Sequence, residues 1–167
     1  MTHTKKITLS ALFIALGIIM PFITGQVPQI GSMLLPMHIP VLISGFVLGG
    51  PYGAIVGAIT PILRSMIFIM PPMATAIPMA FELATYGFVT GVIYSKVSKN
   101  IVGVYISLIS AMILGRIVWG CVQAILYGEM TLAAFIASGF TNAIPGIILQ
   151  LILVPLVVRL LQKARVM

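Results

Sequence analysis

The sequence predicts an all-α fold: an integral membrane bundle of six transmembrane helices, built as a single domain over 1–167. Three observations carry that expectation. Positions 7–63 contain no Asp, Glu, Lys or Arg. Across the chain 60% of residues are hydrophobic and 7% charged, with a mean hydropathy of +1.22, a composition that suits lipid rather than water as the outer solvent. Glycines, prolines and charges also cut the apolar sequence into runs near the roughly 20 residues that a helix needs to cross a bilayer.

The first span is expected over 7–23, ended by Thr24-Gly25-Gln26-Val27-Pro28-Gln29. Lys5 and Lys6 ahead of an apolar run resemble a signal peptide, but no A-x-A-like site follows, so the segment reads as a retained helix. Span two, over 38–48, is closed by Gly49-Gly50-Pro51. It is short for a full crossing, and the preceding Met33-Leu34-Leu35 reads as a re-entrant or capping segment at the membrane edge. Span three covers 52–70 and stops at Pro71-Pro72. Spans four, five and six follow over 76–97, 101–127 and 140–161.

The basic residues orient this arrangement. Lys5 and Lys6 precede span one, Lys96 and Lys99 separate spans four and five, and Arg159, Lys163 and Arg165 follow span six. An even span count puts all three clusters on one side, which the positive-inside rule makes cytoplasmic. Both termini are then inside, the connections 24–37, 71–75 and 128–139 are outside, and those outer connections carry no basic residue. The net charge of +7 therefore reports topology. Scattered in ones and twos at span ends, it does not form the basic stripe of a nucleic-acid binder.

Several function classes are excluded. No GxxxxGK[ST] loop occurs, and the two acidic residues, Glu82 and Glu129, are too few for a Mg-nucleotide site. ATP-driven work would fall to another polypeptide. The single cysteine, Cys121, lies in an apolar run and offers neither a disulfide framework nor a thiolate metal site. Absence of HExxH, GxSxG or a carboxylate cluster argues against intramembrane catalysis, and no cofactor or metal is expected.

Arg64, Glu82 and Arg116 lie inside predicted spans. A charge at that depth costs ~2.5–3.5 kcal/mol on the lenient insertion scale, so each should face protein or water and have a partner. With two cations for one anion, either Glu82 bridges both arginines or one arginine is left for an anionic ligand group. The planar guanidinium fork suits a carboxylate. Arg64 falls ~9 Å below the outer surface at 1.5 Å per residue. His38, Gln123 and Asn142 lie toward the same side. Arg116, Gly120 and Gln123 recur at i, i+4 and i+7 on one face, with Trp119 alongside. Their convergence describes a pocket open to the outside. Taken singly, each also has a structural reading, as interfacial cap, packing aromatic or interhelical hydrogen-bond partner.

Span one contains Ala11 and Ala15 at i and i+4, a small-residue pair that lets another helix approach closely, on a face that Ser10 and Gly17 are expected to extend. Together with this pair, the strings Gly31-Ser32-Met33-Leu34-Leu35-Pro36-Met37-His38-Ile39-Pro40, Thr60-Pro61-Ile62-Leu63-Arg64-Ser65, Met79-Ala80-Phe81-Glu82-Leu83-Ala84-Thr85-Tyr86-Gly87 and Gly115-Arg116-Ile117-Val118-Trp119-Gly120 resemble the substrate-binding S components of energy-coupling factor (ECF) vitamin transporters, in the branch that includes pantothenate. The resemblance covers essentially the whole chain. It implies a multi-pass protein of the cell membrane with a membrane-embedded T subunit and two cytoplasmic ATPases as partners. It also implies a T-subunit docking face at Ala11 and Ala15, and a gating loop at 24–37.

S components share a fold while binding unrelated vitamins. Pantothenate offers a carboxylate, hydroxyls and an amide to Arg64 or Arg116, His38, Glu82, Gln123 and Asn142. A flat aromatic precursor, such as pyridoxine or hydroxymethylpyrimidine, would instead use stacking surface from Phe81, Tyr86 and Trp119. A stand-alone secondary carrier is the rival class, but no internal repeat relates 1–83 to 84–167.

Overall fold

The computed structural model describes residues 1–24, 28–128, 135–137 and 141–164. Seven helices carry these residues, and no strand occurs among them. They are α1 (His3–Ile19), extended by a 3-10 turn (Met20–Thr24), then α2 (Pro28–Leu34), α3 (His38–Leu48), α4 (Gly50–Phe68), α5 (Met73–Lys96), α6 (Ile101–Tyr127) and α7 (Ile144–Lys163). Helices α1 with its extension, α4, α5, α6 and α7 are long and apolar enough to cross a bilayer.

Local chemistry sets the ends. Pro51 and Pro145 occupy the first turns of α4 and α7, where a missing N–H costs nothing. Asn100 caps α6 by accepting a hydrogen bond from the Gly103 amide at 2.8 Å. Gly128 closes the same helix at φ 69°, a left-handed conformation that glycine adopts without Cβ strain.

The second membrane segment departs from the other five. With 11 residues, α3 spans only about 16 Å at 1.5 Å per residue, half of a ~30 Å hydrocarbon core. All of α3 except Val47 is buried, as expected of a helix apolar on every side. It runs against α5 in the same direction, and also touches α1, α4 and α7. The connection expected over 24–37 is partly helical: Pro28 starts α2 and Pro36 follows its end, so two prolines bracket a run able to coil. Residues 25–27 of that predicted loop lie outside the described residues, as does most of 128–139. Leu35 takes φ 50° between α2 and α3, and the turn closes with His38 N–H donating to the Leu35 carbonyl at 3.1 Å.

Glycines allow the closest helix contacts. A Cβ at Gly57 would sit 2.2 Å from the Leu83 carbonyl oxygen, and one at Gly87 would sit 2.1 Å from the Gly53 oxygen. Backbone therefore lies on backbone along the α4–α5 seam. Four buried serine and threonine hydroxyls are satisfied within their own helices: Ser44 donates to Val41, Thr60 to Val56, Thr90 to Tyr86 and Ser107 to Gly103.

At one end of the bundle Lys6, Lys99 and Gln162 line a common cavity. The start of the chain, the α5–α6 turn and the end of α7 thus share a side, as the basic clusters predict.

Candidate functional site

Three of the predicted polar residues meet between α3, α5 and α6. Glu82 Oε1 lies 3.0 Å from Arg116 Nη1 and 3.6 Å from His38 Nε2. His38 and Glu82 are each 1% exposed and Arg116 is 6% exposed. His38 also packs edge-on against Tyr86, with ring centroids 5.5 Å apart, and Tyr86 fills the space beside Gly115. Glu82 and Tyr86, one turn apart, share the inward face of α5, and Arg116 follows Gly115 on α6. His38 reaches the cluster because α3 is short. Glu82 is nine residues from the outer start of α5, about 14 Å deep, and the outer end of α3 begins at that level.

Much of the cluster's hydrogen-bonding capacity is unused by the described residues. The Arg116 Nε and Nη2 atoms and both His38 ring nitrogens are buried without a hydrogen-bond partner, as is the Gln123 Oε1 atom two turns farther along α6. The 3.0 Å approach of Arg116 to Glu82 is an ion pair whose angles do not make a hydrogen bond. Nε and Nη2 form the lateral edge of the guanidinium, the edge that takes a carboxylate in two parallel hydrogen bonds. Buried polar groups that the protein leaves unpaired are costly, so this edge needs an account.

Arg64 does not join the cluster. It is 1% exposed, donates from Nη1 to the Ile18 carbonyl and lies 5.1 Å and 5.4 Å from the ring centroids of Phe22 and Phe68. The last-turn carbonyl of α1 and two aromatic faces thus serve the cation in place of a carboxylate. On α4 the level of Leu83 is marked by Gly57, and Arg64 is seven residues farther out, about 10 Å. A triad in which Glu82 bridges both arginines is therefore not formed.

The remaining predicted residues scatter. Trp119 is half-buried and stacks on Phe135 at 6.4 Å between centroids, against the site of Gly120. The face of α6 that carries Arg116 and Gly120 is buried as the spacing predicts, and Gln123 is half-buried on it. Asn142 is exposed, its amide N–H bonded to the Ala137 carbonyl, and its side chain lies at the surface rather than in the cluster. Phe81 is 54% exposed, facing away from His38 and Arg116, because its position next to Glu82 turns it to the opposite side of α5.

Gln150 escaped the sequence reading. It is fully buried, with Nε2 and Oε1 both unpartnered, on the same face of α7 as Gly146, whose Cα approaches Met33 and Leu34 of α2. Its signal was an amide inside an apolar run, four residues after a glycine.

On α1 the inward face consists of Ser10, Phe13 and Gly17. Ala11 and Ala15 are exposed, along with Leu12 and Leu16. Ser10 and Gly17 therefore do not extend the Ala11–Ala15 face, as had been expected. Gly17 instead abuts Thr60 of α4, and the alanine pair is free of internal packing.

The family model described as ECF transporter, substrate-specific component, matches residues 5–158. No curated protein and no solved structure matches the chain.

Proposed function

This chain belongs to the family of ECF transporter substrate-specific components, and from that premise we propose that it captures pantothenate at the His38–Glu82–Arg116 cluster. Substrate-specific components bind small molecules and work with T and ATPase subunits. In this reading the protein sits in the cell membrane, takes the vitamin from outside and delivers it through a membrane-embedded T subunit driven by two cytoplasmic ATPases.

One observation carries the choice of site: Arg116 has a complete lateral donor edge, Nε and Nη2, buried at mid-membrane depth and unused by the described residues. A ligand carboxylate would take that edge, while Glu82 on Nη1 offsets the cost of holding the arginine there without a ligand. His38, Gln123 and Gln150 carry donor and acceptor atoms suited to the hydroxyls and amide of pantothenate. The Ala11–Ala15 face is the proposed T-subunit contact, since exposed small residues permit close helix approach. Because His38 and Glu82 are closed off from solvent, entry requires a movement, and α2 with the Leu35 turn is the proposed gate.

A second reading rests on the same pair. Arg116 and Glu82 cancel in charge, which favours a neutral precursor such as pyridoxine or hydroxymethylpyrimidine stacked near Tyr86. Titration calorimetry separates the two. Pantothenate binding should weaken by about 1.5–3 kcal/mol, the range for a hydrogen bond to a charged group, in Arg116→Lys, which keeps the charge and loses the fork. The same substitution should leave a neutral ligand less affected. Arg64→Ala should hold wild-type affinity within about threefold (~0.6 kcal/mol). Loss of binding in Arg64→Ala with full binding in Arg116→Lys would move the site to α4.

A further inference from the structure

The inner end of the bundle carries a second polar feature, unrelated to the proposed substrate cluster. A cavity of about 570 Å³ opens among the ends of α1, α3, α5 and α7. Tyr94 in its wall is twelve residues from Glu82 on α5, about 18 Å along the helix. Lys6 and Lys99 line the cavity, together with Ser95 and Gln162, and Phe46 contributes an apolar wall.

The cavity is built rather than accidental. Gln162 donates from Nε2 both to the Tyr94 hydroxyl and, at 3.2 Å, to the Lys99 carbonyl, which ties α7 to α5 and to the turn after it. Tyr94 is 5% exposed and packs edge-on against Phe46 at 5.0 Å. Lys6 is held over the Tyr52 ring at 5.4 Å. Among the described residues neither Lys6 nor Lys99 is paired with a carboxylate, since their one acidic side chain is Glu82, in the His38–Arg116 cluster.

We propose that this cavity binds the phosphodiester headgroup of an anionic phospholipid of the inner leaflet, with Lys6 and Lys99 on the phosphate and Ser95 or Gln162 on a headgroup hydroxyl. Two cations lining one concave surface with an apolar wall match an amphipathic anion, and basic pockets between helices on the cytoplasmic side are suited to such headgroups. Bound there, the headgroup bridges the start of α1 to the α5–α6 turn. The proposal does not depend on which vitamin the outer site takes.

The test is native mass spectrometry of the full chain in detergent, titrated in separate arms with phosphatidylglycerol, phosphatidylcholine and inorganic phosphate. Phosphatidylglycerol should be retained over phosphatidylcholine. Lys6→Gln and Lys99→Gln should each weaken it about fivefold, the worth of one cation near the surface, and the double variant about 25-fold. Lys163→Gln removes the same charge without lining the cavity, and should change binding less than twofold. Equal retention of the two lipids, or an equal loss in Lys163→Gln, would overturn a specific site in favour of general surface attraction. Binding of inorganic phosphate without phosphatidylglycerol would overturn the lipid as ligand. Melting curves of each variant separate lost binding from lost fold.

Discussion

Replacing Arg116 by Met leaves Glu82 as an uncompensated carboxylate, 1% exposed, between α3, α5 and α6. Breaking a buried ion pair from one side costs about 3–5 kcal/mol, whereas removing both charges is often close to neutral. Glu82→Gln leaves the arginine unpaired in the same way. The two single variants should each be strongly destabilised, and Arg116→Met with Glu82→Gln should recover most of the loss, so that the coupling exceeds the loss of either single variant, about 3–5 kcal/mol. At ~2–4 °C per kcal/mol for a chain of this size, the single variants should melt on the order of 10 °C lower. The assay is thermal unfolding in one detergent, followed by Trp119 fluorescence across all four members of the cycle. Additive losses would refute the reasoning, because they would mean that each charge is solvated independently and the 3.0 Å contact carries no energy. Ligand binding should remain weak in the double variant, since its stability returns without the guanidinium edge.

Ala11→Trp and Ala15→Trp should abolish vitamin uptake in cells while binding to the isolated chain stays near wild type, because both positions are exposed and remote from Arg116; uptake at wild-type rates in both would remove that face from the transport cycle. Gly146→Val places side-chain atoms where a Cβ already falls 2.6 Å from the Met33 carbonyl oxygen, so α2 must shift off α7. If α2 is the gate, stopped-flow dissociation should accelerate about tenfold or more, equivalent to ~1.4 kcal/mol, and an unchanged off-rate would place the gate elsewhere.

Parts of this fold are legible in the sequence because breakers and charges act locally. The expected spans 38–48 and 101–127 coincide with α3 and α6, each bounded by glycine or by a capping asparagine. Pairing Glu82 with an arginine followed from electrostatics, since isolated charges in lipid need partners, whereas His38 was placed toward the same side by its depth alone. Which arginine would take Glu82 was not legible, as it depends on the relative heights of α4 and α6. The partners of Arg64 were hidden for another reason: a backbone carbonyl and two phenylalanine faces have no charge signature. Helix azimuth was the other weak point. Where protein and lipid sides are both apolar, periodicity does not separate them, so Ser10 and Gly17 were grouped with Ala11 and Ala15, and Phe81 with Tyr86. Only the end of helix α2 was legible, as the capping segment expected at Met33-Leu34-Leu35; its earlier Gly, Pro and Gln content reads as a connection, although prolines at its borders suit one short helix.

The central claim is that a small vitamin carrying a carboxylate occupies the buried cluster through Arg116. Mass spectrometry of small molecules released from the purified chain tests it most directly, with Arg116→Lys and Arg64→Ala purified alongside. Pantothenate should be released from the wild-type protein and from Arg64→Ala, and be lost from Arg116→Lys. Release of the same ligand from Arg116→Lys at the wild-type amount, or its loss from Arg64→Ala alone, would contradict it.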